Sequence, residues 1–108
     1  MRWAVTFYSP KVEAETLALP KGILADFLRI VELMVEFGPN LGRPHTAPLG
    51  GGLFEIRAKG RESIARSVFC TVRGLEIVVL ITVIKKANKI QARHMEIARK
   101  RMKEVQER

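Results

Sequence analysis

Two arginines, Arg57 and Arg66, fall inside LFEIRAKGRESIARSVFCTV at residues 53–72, where apolar alternation marks two strands joined by a short turn. An isolated guanidinium is expensive to bury, but one held rigidly by a strand is well suited to grip an oxyanion through paired N–H donors. Lys85 and Lys86 end a further apolar strand, IVVLITVI at 77–84, and Lys59 and Arg61 lie on the connecting turn. Three adjacent strands can carry Arg57, Arg66 and the lysine pair to one side of a small sheet. The result is a basic concave face whose missing negative charge a phosphodiester would supply. Alternation also puts Glu55 on the same face as Arg57, and Glu62 and Glu76 are near in sequence, so an internal ion pair is the structural alternative.

Other chemistries find less support. His45 and His94 stand alone, and no carboxylates have the spacing that zinc or magnesium needs, so neither metal nor cofactor is expected. Gly50-Gly51-Gly52 is not a phosphate loop: no Gly-Lys-Ser/Thr follows, and the segment leads into a strand rather than a helix. Cys70 has no cysteine partner and reads as a small buried hydrophobe in a reducing compartment. Of the two histidines, His45 lies in a loop. His94, near the start of the last helix, is the candidate for proton transfer near neutral pH.

The elements that must position these groups follow from pattern. WAVTFY at 3–8 reads as an opening strand and 11–19 as a short helix. From Pro20, apolar residues at Ile23, Phe27, Ile30, Met34 and Phe37 predict an amphipathic helix ended by Gly38-Pro39. Residues 38–52, with five glycines and three prolines, read as a loop. Strands are expected at 53–58, 64–72 and 75–84, largely as an antiparallel meander, with the last one central because it is apolar on both faces. Residues 91–108 predict a final helix with Met95, Ala98, Met102 and Val105 inward. Its Arg99, Lys100, Arg101 and Lys103 form a solvated basic surface, with Glu96–Lys100 and Glu104–Arg108 as i,i+4 pairs.

With 108 residues, the chain is expected to form a single domain spanning 1–108. Its apolar fraction of 47% excludes disorder. No apolar run has membrane-spanning length and no secretory leader is evident, which points to the cytoplasm and away from a membrane partner. The formal charge of +8 is uneven. Residues 1–56 hold five Lys/Arg against six Asp/Glu, and 57–108 hold fourteen against five. A cationic block of this kind fits a polyanionic partner, nucleic acid first among them; a merely solvated surface is the alternative.

The run LGGGLFEIRAKGRESIARSVFCTV, the apolar strand ending in Lys85-Lys86 and the closing MEIARKRMKEV together resemble the phage-derived, HigB-like branch of the RelE/ParE toxin superfamily. The resemblance spans nearly the whole chain. It implies an α+β fold of the compact RelE type, with N-terminal helices and a C-terminal helix packed on a small antiparallel sheet. It also implies a toxin paired with a helix-turn-helix antitoxin, which enters the ribosome and cleaves messenger RNA without a metal, using the RNA's own 2′-OH. Arg57, Arg66, Lys85, Lys86 and His94 are then the candidate catalytic residues, with Lys59, Arg61, Lys89 and Arg93 as RNA contacts. This chain departs from the family in two places. Ala87-Asn88-Lys89-Ile90-Gln91 replaces a common Thr-Gln-Lys-Thr-Pro, and Phe69 stands where many relatives place tyrosine. A non-enzymatic inhibitor on the same fold, either gyrase-directed or merely RNA-binding, is therefore the alternative class.

Overall fold

A computed structural model of the chain describes residues 2–85 and 88–108. Its elements run β1 (Ala4–Phe7), α1 (Pro10–Leu17), α2 (Lys21–Phe37), β2 (Thr46–Gly50), β3 (Leu53–Lys59), β4 (Ile64–Val72), β5 (Glu76–Ile84) and α3 (Ala92–Gln106). Helix α1 starts where Ser9 Oγ accepts the Val12 amide at 3.2 Å and Pro10 supplies a preset φ, and α2 stops at Gly38, whose φ of 92° suits a residue without Cβ.

The strands form one sheet in the order β1-β5-β4-β3-β2. From β2 to β5 it is the expected antiparallel meander, but β1 pairs parallel to β5, so the sheet is mixed. The connection from β1 leaves through both N-terminal helices, and such a crossover lets the first strand lie beside the last. Part of the expected loop at 38–52 is also a strand: β2 pairs with β3 through Thr46, Ala47 and Pro48. Its prolines and glycines hid it, yet they are tolerable because β2 is an edge strand with an irregular register next to Gly50.

Alternation divides the sheet into two packed faces. Ile56, Ala58, Ala65, Phe69 and Ile77 meet Ile23, Phe27, Ile30 and Met34 of α2, all buried. Leu53, Val68, Cys70, Val78 and Leu80 meet Ala98 and Val105 of α3. Beneath α1 the Thr82 hydroxyl lies 2.8 Å from that of Thr16 and 2.7 Å from that of Ser67, while Thr16 donates to the Val12 carbonyl at 2.8 Å. Each hydroxyl has one hydrogen, so the chain runs one way, from Ser67 through Thr82 and Thr16 to Val12, and each of the three hydroxyls is partnered.

The β4–β5 ladder is irregular at one point. Val68 pairs with Ile81 and Phe69 with Val79, so Leu80 is an extra residue in β5, a β-bulge. Arg101 of α3 donates to the Leu80 carbonyl at 2.7 Å, and its guanidinium stacks over the Tyr8 ring at 4.7 Å. Arg101 is therefore not part of the solvated surface expected of that helix. Nor does Glu104 pair with Arg108 or Glu96 with Lys100; Glu104 instead accepts the Tyr8 hydroxyl at 2.6 Å.

Replacing Arg101 by methionine keeps its hydrocarbon stem but strands the bulge carbonyl beneath the helix. Urea denaturation of Arg101→Met is expected to show a loss of about 1–3 kcal/mol, against near-zero change for Lys100→Met on the exposed side. Equal effects at the two positions would show that the bulge does not depend on Arg101.

Candidate functional site

Helix α3 covers only part of its face of the sheet. Where it begins, the strand ends beyond Leu53 and Val68 stay open and form a groove. Arg57 and Arg66 are direct cross-strand partners on β3 and β4, so their side chains leave the same face side by side. The bulge brings in the third cation. With unbroken alternation Lys85 would share the α2 face with Ile77 and Val79. The extra residue reverses the phase, pairs Val83 with Arg66, and turns Lys85 into the groove.

Two like charges set opposite one another on a sheet repel, and Glu55 offsets the repulsion. Its carboxylate lies 3.4 Å from Arg57 NH1 and 3.5 Å from Arg66 Nε, with the Glu55 side chain 5% and the Arg66 side chain 7% exposed. The internal ion pair expected as the structural alternative is thus present, with both guanidinium groups sharing one carboxylate. Arg66 also donates to the Asn88 carbonyl at 2.7 Å, which holds Asn88 at the wall of the groove. Arg66 Nε and Glu55 Oε1 have no hydrogen-bond partner among the described residues. One carboxylate faces two guanidinium groups, so the trio keeps a net positive charge.

The groove consists of connected depressions. The first, about 360 Å³, is lined by Arg66, Lys85, Lys89, Arg93 and His94. The second, about 450 Å³, has walls from Arg43, Glu55, Arg57, Arg66, Lys85 and Lys89. Arg57, Arg66, Lys85, Lys89, Arg93 and His94 are therefore brought together as expected. Lys59 lines a third depression, beside Arg57. Arg61 sits exposed on the β3–β4 turn and lines none of the three. Lys86 lies outside the described residues.

His94 is half-buried in the first turn of α3. Burial and the neighbouring Arg93 charge both lower its pKa, so it is neutral at pH 7 and able to accept a proton. The Cys70 thiol is buried against α3 and pushed up to about 11 by burial, then by Glu76, which makes it inert. Phe69 is fully buried on the opposite face, stacked on Phe54 at 5.6 Å, so a hydroxyl added at this position would enter the α2 core rather than the groove. Among the described residues no three His, Cys, Asp or Glu side chains gather in a way that could hold a metal ion. Among the described residues no helix is long and apolar enough to cross a membrane.

Arg43 and the Asn88 carbonyl escape a sequence reading. Arg43 is a lone cation in a glycine- and proline-rich segment, and a backbone carbonyl carries no sequence signal. The facing of Arg57 and Arg66 was accessible, because pairing Lys59 with Ile64 across the tight turn sets Arg57 opposite Arg66.

Comparison with known proteins places this geometry in context. Residues 14–103 match the family described as phage-derived protein Gp49-like (DUF891). A mutant of the E. coli toxin RelE, solved in the free state, matches with a TM-score of 0.62 and 13% identity, covering 97% of this chain and 99% of that one. A chain of the archaeal RelE–RelB complex from Pyrococcus horikoshii OT3 matches at 0.57 and 20% identity, covering 80% and 98%. At these identities the likeness is one of fold. No curated protein sequence matches.

The shared carboxylate makes a separable prediction. Glu55→Ala leaves two adjacent cations uncompensated on a nearly closed floor and is expected to cost about 3 kcal/mol, the lower end for breaking a buried pair. Adding Arg66→Met should restore most of that loss. A double-mutant cycle by chemical denaturation checks it, and additive losses would deny the coupling.

Proposed function

The chain belongs to the family of phage-derived Gp49-like proteins, and from that premise we propose that it is a toxin of the RelE type, in the HigB-like branch, that cleaves messenger RNA on the ribosome. The observation that carries this reading is the facing pair Arg57 and Arg66, joined by Lys85 at the floor of an open cationic groove. A helix-turn-helix antitoxin is the partner that would hold the activity in check, as the archaeal complex pairs RelE with RelB. The cytoplasm is where such a toxin meets translating ribosomes.

In this reading the RNA's own 2′-OH is the nucleophile. Its oxygen attacks the adjacent phosphorus, the 2′,3′-cyclic phosphate forms, and the 5′-oxygen of the following nucleotide leaves. The phosphoryl oxygens gain negative charge in the transition state, and Arg57, Arg66 and Lys85 stabilise it from fixed positions in a partly dry groove. The guanidinium groups suit this because each presents two parallel N–H donors to a phosphate. Neutral His94 receives the 2′-OH proton, and an ammonium group of Lys85 or Lys89 supplies one to the leaving oxygen. Lys89 and Arg93 bind the strand through its phosphates.

Induction of the chain without its antitoxin is expected to stop protein synthesis first, with new messenger ends appearing inside translated frames. Pulse-labelling that showed DNA synthesis falling first would replace this reading with a gyrase-directed one. Purified Arg66→Ala, shown to be folded by circular dichroism, should cut ribosome-bound messenger roughly a hundred- to a thousandfold more slowly, a loss of about 3–4 kcal/mol. Arg66→Lys should recover little of this, and Lys100→Ala should stay within about tenfold of the parent, since it affects docking alone. Near-parental cleavage by Arg66→Ala would remove Arg66 from the chemistry.

The lowered pKa of His94 sets the pH profile. A base is active when neutral, and a lowered pKa keeps it neutral further into acid, so the acid limb of the single-turnover rate should fall below about 6.5, the ordinary histidine value. His94→Ala should abolish that limb; an unchanged limb in the variant would assign the proton transfer elsewhere.

A further inference from the structure

Beyond the groove floor the structure holds a third basic depression, of about 320 Å³, that no step of the cleavage uses. It lies where β2 ends. The last β2 pairing joins Thr46 to Ile56, and beyond it the β3 edge is open except for the Arg57 amide, which the His45 carbonyl accepts at 2.8 Å. Asp26, reaching over from α2, takes the next exposed donor: its Oδ2 accepts the Lys59 amide at 2.8 Å. Its Oδ1 accepts from Arg29 NH2 at 2.8 Å and Nε at 3.2 Å. Burial alone would raise the Asp26 pKa, but the Lys59 amide and Arg29 outweigh it and hold the carboxyl low. Asp26 is thus a clamp whose charge is already cancelled.

What remains is cationic. Arg29, Arg57 and Lys59 line the depression against that single carboxylate, and His45 adds an imidazole that can donate a hydrogen bond even when neutral. The Lys59 ammonium is exposed and forms no ion pair among the described residues. Arg57 is the shared wall, since it lines both this depression and the one holding Arg66 and Lys85. A polyanion lying across Arg57 would therefore meet both without leaving the surface. Cations in excess of the acids beside them, continued past the reacting groups and over a sheet edge, fit a repeating anion rather than one isolated phosphate.

We propose that the Asp26–Arg29–His45–Lys59 depression is a separate subsite that binds a backbone phosphate of single-stranded RNA flanking the cleavage position. The inference rests on the reading of the groove as an RNA site and adds where the strand runs: from the α3 start, across Arg57, to α2. The subsite lengthens the footprint and contributes affinity rather than rate. Its contacts are to phosphate, so it is indifferent to base identity.

Anisotropy titrations with a fluorescein-labelled single-stranded RNA decanucleotide and a trinucleotide, from low to physiological salt, test this. For Lys59→Ala, whose amide to Asp26 is untouched, decanucleotide binding should weaken about tenfold at low salt, with the log–log salt slope shallower by about 0.7, the loss of one phosphate contact. Trinucleotide binding, confined to the floor, should not change, and Lys103→Ala should leave both as in the parent. Arg29→Ala should repeat the Lys59→Ala result. Equal weakening for both RNAs, an unchanged slope, or no RNA binding by the parent protein would overturn the subsite. If the parent binds RNA with this Lys59 dependence yet fails to cut ribosome-bound messenger, the subsite stands and the nuclease reading falls.

Discussion

Between Val68 and Phe69 of β4 the partner strand inserts Leu80, and that extra residue decides which way the end of β5 faces. A strand alternates with period two, so an insertion of one transfers every later side chain to the other face. Before the bulge, Ile77 and Val79 serve the α2 core; after it, Val83 and Lys85 join the face of Arg66. The same shift turns Thr82 inward under α1, where Thr16 and Ser67 complete its hydrogen bonds. Removing the bulge would send Lys85 towards the apolar core and Thr82 out of its hydroxyl chain. The bulge carbonyl is in turn satisfied by Arg101, so α3 helps to hold in place the groove that it borders.

Burying charge on a sheet is costly, and the fold limits that cost by sharing. Glu55 serves two arginines, and Asp26 serves Arg29 and a strand-edge amide together. Each acid fixes cations in position without neutralising the surface as a whole. A strictly paired floor would have no charge left for an anion, and an unpaired one would destabilise the sheet through repulsion. The intermediate arrangement keeps donors rigid and the potential positive. Rigid donors are what a phosphoryl transition state requires, since they need not reorganise as charge develops.

Groove and core also differ in how far they are enclosed. Phe27, Ile30, Phe69 and Leu80 are fully enclosed between sheet and helices, whereas Asn88 and Lys89 are exposed, with the Asn88 carbonyl accepting from Arg66. The Asn88 carbonyl occupies one Arg66 donor, so an anion reaching that donor would exchange a neutral acceptor for a charged one. Charge-assisted bonds are the stronger kind, which favours that exchange.

Local pattern alone determined most of the elements. The apolar spacing from Ile23 to Phe37 determined α2, the alternating runs determined β3 and β4, the continuous apolar run at 77–84 determined β5, and Met95, Ala98, Met102 and Val105 determined α3. These signals are local, because helix and strand periods are written in neighbouring residues. Sequence also marked Arg57, Arg66, Lys85 and His94, since such residue types in apolar strands or at a helix start are conspicuous. Tertiary structure alone decided the parallel place of β1, the strand at Thr46–Gly50 and the bulge at Leu80, because each depends on which edge is free once the other strands have paired. It also decided that Arg29 and Arg43, from the near-neutral half of the chain, would face the groove, and that Arg101 would turn back to the sheet. A cation's sequence neighbours show that it is charged. Whether it meets solvent, a carbonyl or an anion is settled by residues far along the chain, and only folding brings those within reach.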